Sequence, residues 1–548
     1  MFNLIMIILP FIFPYHILGE NASNLTLFII AILFLFLKSN ESVALNKSFL
    51  RWSILFVGLA FIITCWINPA LYSFSGLSIY LNLVVYYISY CHIFSSREKY
   101  EFYFKYLLIT MTITSSYYLL SEGMLYGVRV RGNFGYSNTY ALFLFLSLIL
   151  NQVLPLKYNQ IINLILITTL FATGSRLTLA VAFVSFLILI FKTKNYMQLI
   201  ITLIFSLLSY GLISQLGIRS LFFIPVLVFI MKQAKRWHYW FISGLGLLFF
   251  IGTNTYERLL NFSIKNASFL ERMVSFKDAI QAIKQHLFGQ GIQSYEFSHF
   301  MYDTAFYDPK YLHNSVLQVM YDIGIIGGIL FLIVMFSAYR SVIKSNILVK
   351  IALFSIFVHS LMDFDIAFSA TFIVIALLVS LNGQEIVSPV SSFAKFLLIP
   401  SVYLLVYELL LGTVTATQFP ITDYRANLLL AAKFMTSSDW DQALQQLELA
   451  YEKEISHPNV IWNLAYVHEK LGNVEQALDY RLKSVKLQPY HQDAYLEYYR
   501  LLLEQYDKTK DLNYLNKQQE LVTIYQQAIA NQNSKASYLP NQLSLTFD

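Results

Sequence analysis

Charged side chains are scarce in this chain. Asp, Glu, Lys and Arg make up 13% of its 548 residues, about half the share found in an ordinary soluble domain. Such a deficit excludes a conventional water-soluble enzyme. The net charge of +6 is modest and most of the cations flank apolar runs, so nucleic acid is not an expected partner. Cysteine is nearly absent. Cys65 and Cys91 lie in apolar runs and read as buried, inert thiols. No CxxC pair or Cys/His cluster offers a metal site, so none is expected. The strict period-two alternation of a membrane β-barrel is also missing. The first twenty residues lack a basic segment and read as a first span, not a cleaved signal.

Hydrophobic residues supply 57% of the chain. Apolar runs of ~17–25 residues, each long enough to cross a bilayer, recur as far as about Gly412. Lipid leaves open backbone groups unsatisfied, so the spans must be helices. The expected fold is an all-α polytopic membrane protein of about fifteen spans. These centre near Leu9, Ile30, Gly58, Val85, Thr112, Phe145, Ile167, Phe183, Ile204, Val226, Gly246, Gly327, Phe357, Ile373 and Leu404. The connecting loops alternate in charge. One set carries Lys38, Lys47 and Arg51; Arg97 and Lys99; Lys157; Lys192 and Lys194; Lys232, Lys235 and Arg236; Arg340, Lys344 and Lys350; and Lys395. The positive-inside rule makes that set cytoplasmic. The other set faces outward: Ser121 to Tyr136, the Gly174 to Arg176 junction, the long loop Thr253 to Leu312, and everything after Gly412. This topology places the N-terminus in the cytoplasm and the C-terminus outside.

Residues 1–414 are read as the membrane domain and 415–548 as a separate helical repeat domain. The tail is polar and repeats every 34 residues: Ala431 with Ala465, Ala443 with Ala477, and Asp441-Gln442-Ala443-Leu444 with Glu475-Gln476-Ala477-Leu478. That period, with small residues where paired helices cross, is the tetratricopeptide signature. Docking of a protein or glycan is the expected purpose, and a structural cap is the alternative. The spans are expected to fold without the tail.

Arginines in the outward set are the residues that the topology rule leaves unexplained. Arg129 and Arg131 flank Val130 ahead of Gly132 and Gly135, and Asn138 enters the next span. Two guanidiniums there can hold a pyrophosphate, because each presents a fork of donors matching phosphate oxygens; solvated loop cations are the alternative. Arg176 follows Thr173-Gly174-Ser175 at the start of an apolar helix, where an arginine must snorkel, pair or bind an anion. In the long loop, Met273, Phe276, Ile280, Ile283 and Leu287 have the spacing of one helical stripe, with Arg272 beside it. His313 abuts a span and is followed by Asn314. A histidine titrates close enough to neutrality to act as a base; His299 is its rival. Asp363 and Asp365 lie at another outer helix end, either orienting an arginine, binding an acceptor or simply solvated.

Taken together, RVRGNFGYSNTYA (Arg129 to Ala141), TGSR (Thr173 to Arg176), ERMVSFKDAIQAIKQHLFGQG (Glu271 to Gly291) and HNSVLQVMYDIGIIGG (His313 to Gly328) resemble the O-antigen ligase and polymerase superfamily of bacterial envelope glycosyltransferases. Ser137 stands where the first motif of that family usually has proline. The resemblance implies a metal-independent glycosyltransferase without a cofactor. It would transfer or polymerise an undecaprenyl-pyrophosphate-linked glycan onto an acceptor hydroxyl at the outer face of the bacterial cytoplasmic membrane. It implies that Arg129, Arg176 and Arg272 grip the pyrophosphate, with Arg131 able to stand in for Arg129 and with Asn138 and Asn314 as further substrate contacts. His313 would assist the acceptor. The acceptor is a polysaccharide, a lipid or a protein, the last making the enzyme a protein O-oligosaccharyltransferase. A lipid-linked glycan flippase is the rival of another class, and a non-catalytic scaffold built on the repeats is a third.

Overall fold

The computed structural model describes residues 1–38, 43–94, 100–153, 156, 158–192, 196–233, 236–260, 266–381, 385–387, 391–411, 423–533 and 542–545. Of these, 189–192, 196–199, 232, 236–240, 385–387 and 391–396 are described by their backbone alone. Arg97, Lys99, Lys157, Lys194, Lys235 and the expected domain boundary at 414/415 lie outside the described residues.

Among the described residues the fold is all-α apart from one short antiparallel pair, Val43–Leu45 with Glu385–Val387, in the register Val43↔Val387. Each of the fifteen expected span centres falls inside its own helix. Among the described residues, five helices are long and apolar enough to cross a membrane: Glu20–Leu37, Lys47–Trp66, Leu71–Ile93, Ile200–Phe222 and Ser315–Ser341. Eight further apolar helices have 10–17 residues. The expected count of about fifteen spans is therefore carried, on length, by five. An apolar run does not reveal where helical geometry stops inside it. The helix Ser369–Ser380 has only 12 residues because a 3-10 turn, Asp365–Ala367, precedes it.

The chain forms two compact units. The first comprises Met1–Gly58, Ser78–Phe262 and Leu330–Val402. Its centre is the helix Ser137–Val153, which is buried along almost its whole length. Helix Asn159–Thr173 packs on it, and helices Tyr196–Leu216 and Arg236–Phe250 extend the layer. Buried amides pair within this core: Asn151 Nδ2 donates to Asn163 Oδ1 at 2.8 Å, as burial of a polar group requires. The turn Gly132–Phe134 is tied down from below. Asn133 Nδ2 donates to the Phe13 carbonyl, and the Phe134 ring stacks on Tyr15. Gly132 has φ +62°, and a Cβ there would stand 2.4 Å from the Tyr140 ring, so this turn admits only glycine.

The second unit comprises Leu59–Leu77, Ser263–Ile329 and Tyr403–Asp548. It joins the long loop to the polar tail. The described residues of the tail form six helices: Tyr424–Thr436, Trp440–Lys453, Pro458–Lys470, Val474–Leu487, Gln492–Thr509 and Leu512–Asn531, each packed on the next. Asp423, Asp439 and Asp511 accept backbone N–H bonds at three of the starts. Ala431, Ala443, Ala465 and Ala477 are all fully buried. In the loop, Asn266 caps the helix Ala267–Gln285, which buries Leu270, Val274, Ala279, Ala282 and Ile283. The stripe expected from spacing is rotated from this face. Ile283 lies on it, whereas Ile280 and Leu287 are exposed. The apolar alternation could not reveal that Asp278, with its own partners, would take a buried position.

Helix Ser315–Ser341 is broken at Ile323 and Gly324, where the backbone leaves helical geometry. The turn after Gln285 docks into the break: Ile325 N–H donates to the Leu287 carbonyl, and the Tyr321 and Asp322 carbonyls accept from Gln290 and Gly291.

Candidate active site

In the first unit, two segments, Arg129-Val130 and the helix Asn254–Leu260, converge on the end of helix Asn159–Thr173. The last carbonyls of any helix lack internal partners, and here each finds one. The Phe171 carbonyl accepts from Thr255 Oγ1 at 2.8 Å, Ala172 from the Val130 N–H at 3.1 Å, Thr173 from Arg129 Nε at 2.8 Å, and Gly174 from Arg258 Nε at 3.3 Å. The negative end of the helix dipole suits the two guanidiniums. Gly174, at φ +59°, lies between them: a Cβ there would be 3.4 Å from Arg129 Nε and 3.5 Å from Arg258 Nε. Each guanidinium has five N–H donors, so both forks keep donors beyond the backbone bond. Arg176 begins the next helix, half-buried.

The cluster is strongly cationic. Burial first, then the charge of Arg258, lowers the Arg129 pKa to about 10, with Arg131 and Arg176 adding to the effect. It stays protonated at neutral pH and loses its charge only as pH rises through about 10. Among the described residues, neither Arg129 nor Arg258 forms an ion pair with a carboxylate. Arg131 is exposed. Its contribution to the loop is its backbone, since its N–H and that of Gly132 donate to Glu122 Oε2 at 2.7 and 3.1 Å.

Two buried carboxylates lie behind the arginines. Asp363 accepts from Tyr136 Oη at 2.8 Å and from Asn138 Nδ2 at 2.6 Å. Asn138 Oδ1 in turn accepts from Arg129 Nη2 at 3.5 Å. Asp365 accepts from Thr139 Oγ1 at 2.9 Å and lies 2.6 Å from His359 Nδ1. Asp363 and Asp365 are both 0% exposed, which corrects the solvated reading of the pair. Asn138 is a link between Asp363 and Arg129.

The remaining expected residues belong to the second unit. Arg272 is half-buried in the first turns of Ala267–Gln285. His313 is half-buried in the turn before Ser315–Ser341. That turn is held by Leu312 N–H donating to Gln318 Oε1 at 2.8 Å, and Gln318 Nε2 donates to Asp322 Oδ1 at 2.9 Å. Asn314 Oδ1 accepts the Leu317 N–H at 3.0 Å, the geometry of an N-cap. His313 therefore abuts a half-helix of about eight residues, roughly 12 Å long, and the break at Gly324 separates it from the longer apolar segment. His299, its rival, is a core residue: 2% exposed, stacked on Tyr295 and Tyr307, with Nδ1 3.0 Å from Asp303. Burial pushes the Asp303 carboxyl up to about 6.

Reading the sequence missed Arg258, Glu122 and His359. Arg258 carried a usable signal. It lies in the long loop assigned to the outward side and is as unexplained by the topology rule as Arg129.

Residues 197–332 match the family model described as O-Antigen ligase. This match covers about a quarter of the chain and includes Arg258, Arg272, His313 and Asn314; Arg129, Arg131, Asn138 and Arg176 precede it. No curated protein matches the chain. With the apolar helices, the match points to a membrane protein of O-antigen ligase type, a glycosyltransferase class concerned with polysaccharide biosynthesis. Among the described residues, no group of three or more His, Cys, Asp or Glu side chains is arranged to hold a metal ion.

Proposed function

We propose that this chain is a glycosyltransferase of the bacterial cytoplasmic membrane. It moves a glycan from undecaprenyl pyrophosphate to an acceptor hydroxyl on the outer face, as a ligase or a polymerase. The observation that carries this reading is the arginine cluster at Gly174. Arg129 and Arg258 are fixed by their Nε atoms to helix-end carbonyls, with Arg176 close enough for its charge to act on Arg129. Among the described residues Arg129 and Arg258 have donors to spare and no partner carboxylate, which suits a dianionic pyrophosphate. In the reaction the acceptor oxygen bonds to the anomeric carbon, and the bond from that carbon to the phosphate oxygen breaks. The pyrophosphate leaves with the electron pair. Arginines already in place stabilise the charge that grows on it, which is where electrostatic catalysis is strongest.

His313 is proposed to take the proton of the acceptor hydroxyl, with the Asn314 cap and Gln318 holding its turn. Arg131 and Arg272 are proposed as further contacts of the donor's pyrophosphate, and Asn138 positions Arg129. The six-helix tail, proposed to be tetratricopeptide-like and outside the membrane, would handle the polymer or a protein partner.

The test is donor binding. Arg129→Lys and Arg258→Lys each keep the charge and lose the fork. Each should weaken the affinity for the lipid-linked donor in nanodiscs about 10- to 100-fold, the size of a charge-assisted hydrogen bond. Wild-type affinity in both variants, at normal protein levels, would remove the pyrophosphate reading.

A further inference from the structure

A buried chain of hydrogen bonds runs from Asp365 to the residue before Arg176. Asp365 Oδ2 lies 2.6 Å from His359 Nδ1, and His359 Nε2 lies 2.9 Å from Thr178 Oγ1. Thr178 Oγ1 is 3.0 Å from Ser175 Oγ, and the Ser175 N–H donates to Thr173 Oγ1 at 3.3 Å. His359 and Asp365 are 0% exposed, as is Thr178, and Ser175 is 1% exposed. None of these groups can reach a substrate. The carboxylate beside Nδ1 favours a proton there, which fixes the ring with Nε2 toward Thr178. Ser175 precedes the helix that Arg176 begins, and the Thr173 carbonyl holds Arg129 Nε. The chain thus ends on the short turn that leads into Arg176 and holds Arg129 through the Thr173 carbonyl.

We propose that His359 is a positioning residue of the arginine site. Anchored by Asp365, it acts through Thr178 to hold the Thr173–Arg176 turn, and so fixes where Arg129 and Arg176 present their donors to an anion. The inference rests on the arginine-site reading above. It adds a histidine that nothing in the sequence singled out. Fixed donors lose little freedom when they bind, whereas a mobile turn would have to be ordered at the moment of binding, at a cost in affinity.

Replacing His359 directly would leave the buried Asp365 carboxylate without its histidine partner, at a cost to folding. The decisive variant is Thr178→Val, which keeps the shape and removes the hydroxyl. With purified full-length protein in nanodiscs and inorganic pyrophosphate as the probe, Thr178→Val should bind about 10-fold more weakly, with a thermal midpoint close to that of the wild type. Thr178→Ser, which returns the hydroxyl, should recover most of the loss. Wild-type affinity in Thr178→Val overturns the inference, as does an affinity that falls only in step with the folded fraction. Arg129→Lys is measured alongside. If it binds pyrophosphate as tightly as the wild type, the arginine-site reading fails and takes the inference with it. If it binds weakly while Thr178→Val does not, the inference alone fails.

Discussion

At the scale of single residues, the site depends on what lies behind its cations. Asn138 is the clearest case. Its amide nitrogen donates to Asp363 at 2.6 Å while its oxygen faces Arg129 Nη2 at 3.5 Å. Asn138→Asp is nearly isosteric, yet it sets two carboxylates against each other where both cannot stay ionised. We expect Asn138→Asp to weaken donor binding more than Asn138→Ala at pH 8. It should recover part of that loss at pH 5.5, where a shared proton again bridges the pair. An affinity ratio to wild type that does not change between the two pH values would show that Asn138 and Asp363 are not coupled. The arginines on either side were partly legible. Arg129 and Arg176 stand out because a span end is a costly place for a cation. Arg258 met the same criterion and escaped notice because it lies far from any glycine-rich motif. Asp363 and Asp365 were visible as candidates but their burial was not, and His359 was hidden altogether, because burial follows from contacts with segments 181 to 227 residues away and leaves no local mark.

Helices were the most legible elements, since every expected span centre falls within one. The break in Ser315–Ser341 was not legible. The run from Ile323 to Leu332 stays apolar through it, and three glycines there look alike in sequence. Only Gly324 has φ +81°, and a Cβ on it would stand 2.5 Å from the Leu287 carbonyl oxygen. Gly324→Ala should therefore destabilise by roughly 2–5 kcal/mol, combining backbone strain with a clash that backbone cannot relieve. The control is Gly244→Ala, in a helix where an added Cβ meets nothing within 4 Å. There the better helix former should be neutral or stabilise by up to about 1 kcal/mol. Thermal midpoints in detergent measure both. Equal midpoints for the two variants would mean that the break does not depend on glycine.

For the whole molecule, the least legible feature is that the tail and the long loop share one compact unit. A change in composition near Gly412 suggests two separable domains, and composition is blind to docking. Within the second unit the contacts are specific. The Thr304 carbonyl accepts the Asn533 N–H at 2.8 Å, and Gln542 exchanges bonds of 3.2 and 3.0 Å with the Phe306 backbone. The Phe306 ring stacks on His491, and Phe297 packs on Tyr424 and His457. Tyr72 and Phe297 share an apolar cluster with Ala431, Ala443 and Leu447 of the tail. Deleting Asp423 to Asp548 would expose Phe297 and remove the backbone partners of Thr304 and Phe306. Asp278 would still hold Thr304 through its N–H and hydroxyl. The loop should therefore loosen without being lost. Amide exchange between Tyr295 and Tyr307 should accelerate by at least 10-fold in the truncated protein, while exchange in Ser137–Val153 stays near wild type. Unchanged protection of the loop would show that the tail contributes nothing to its order, and any effect of the deletion on product length would then have to come from substrate binding by the tail itself.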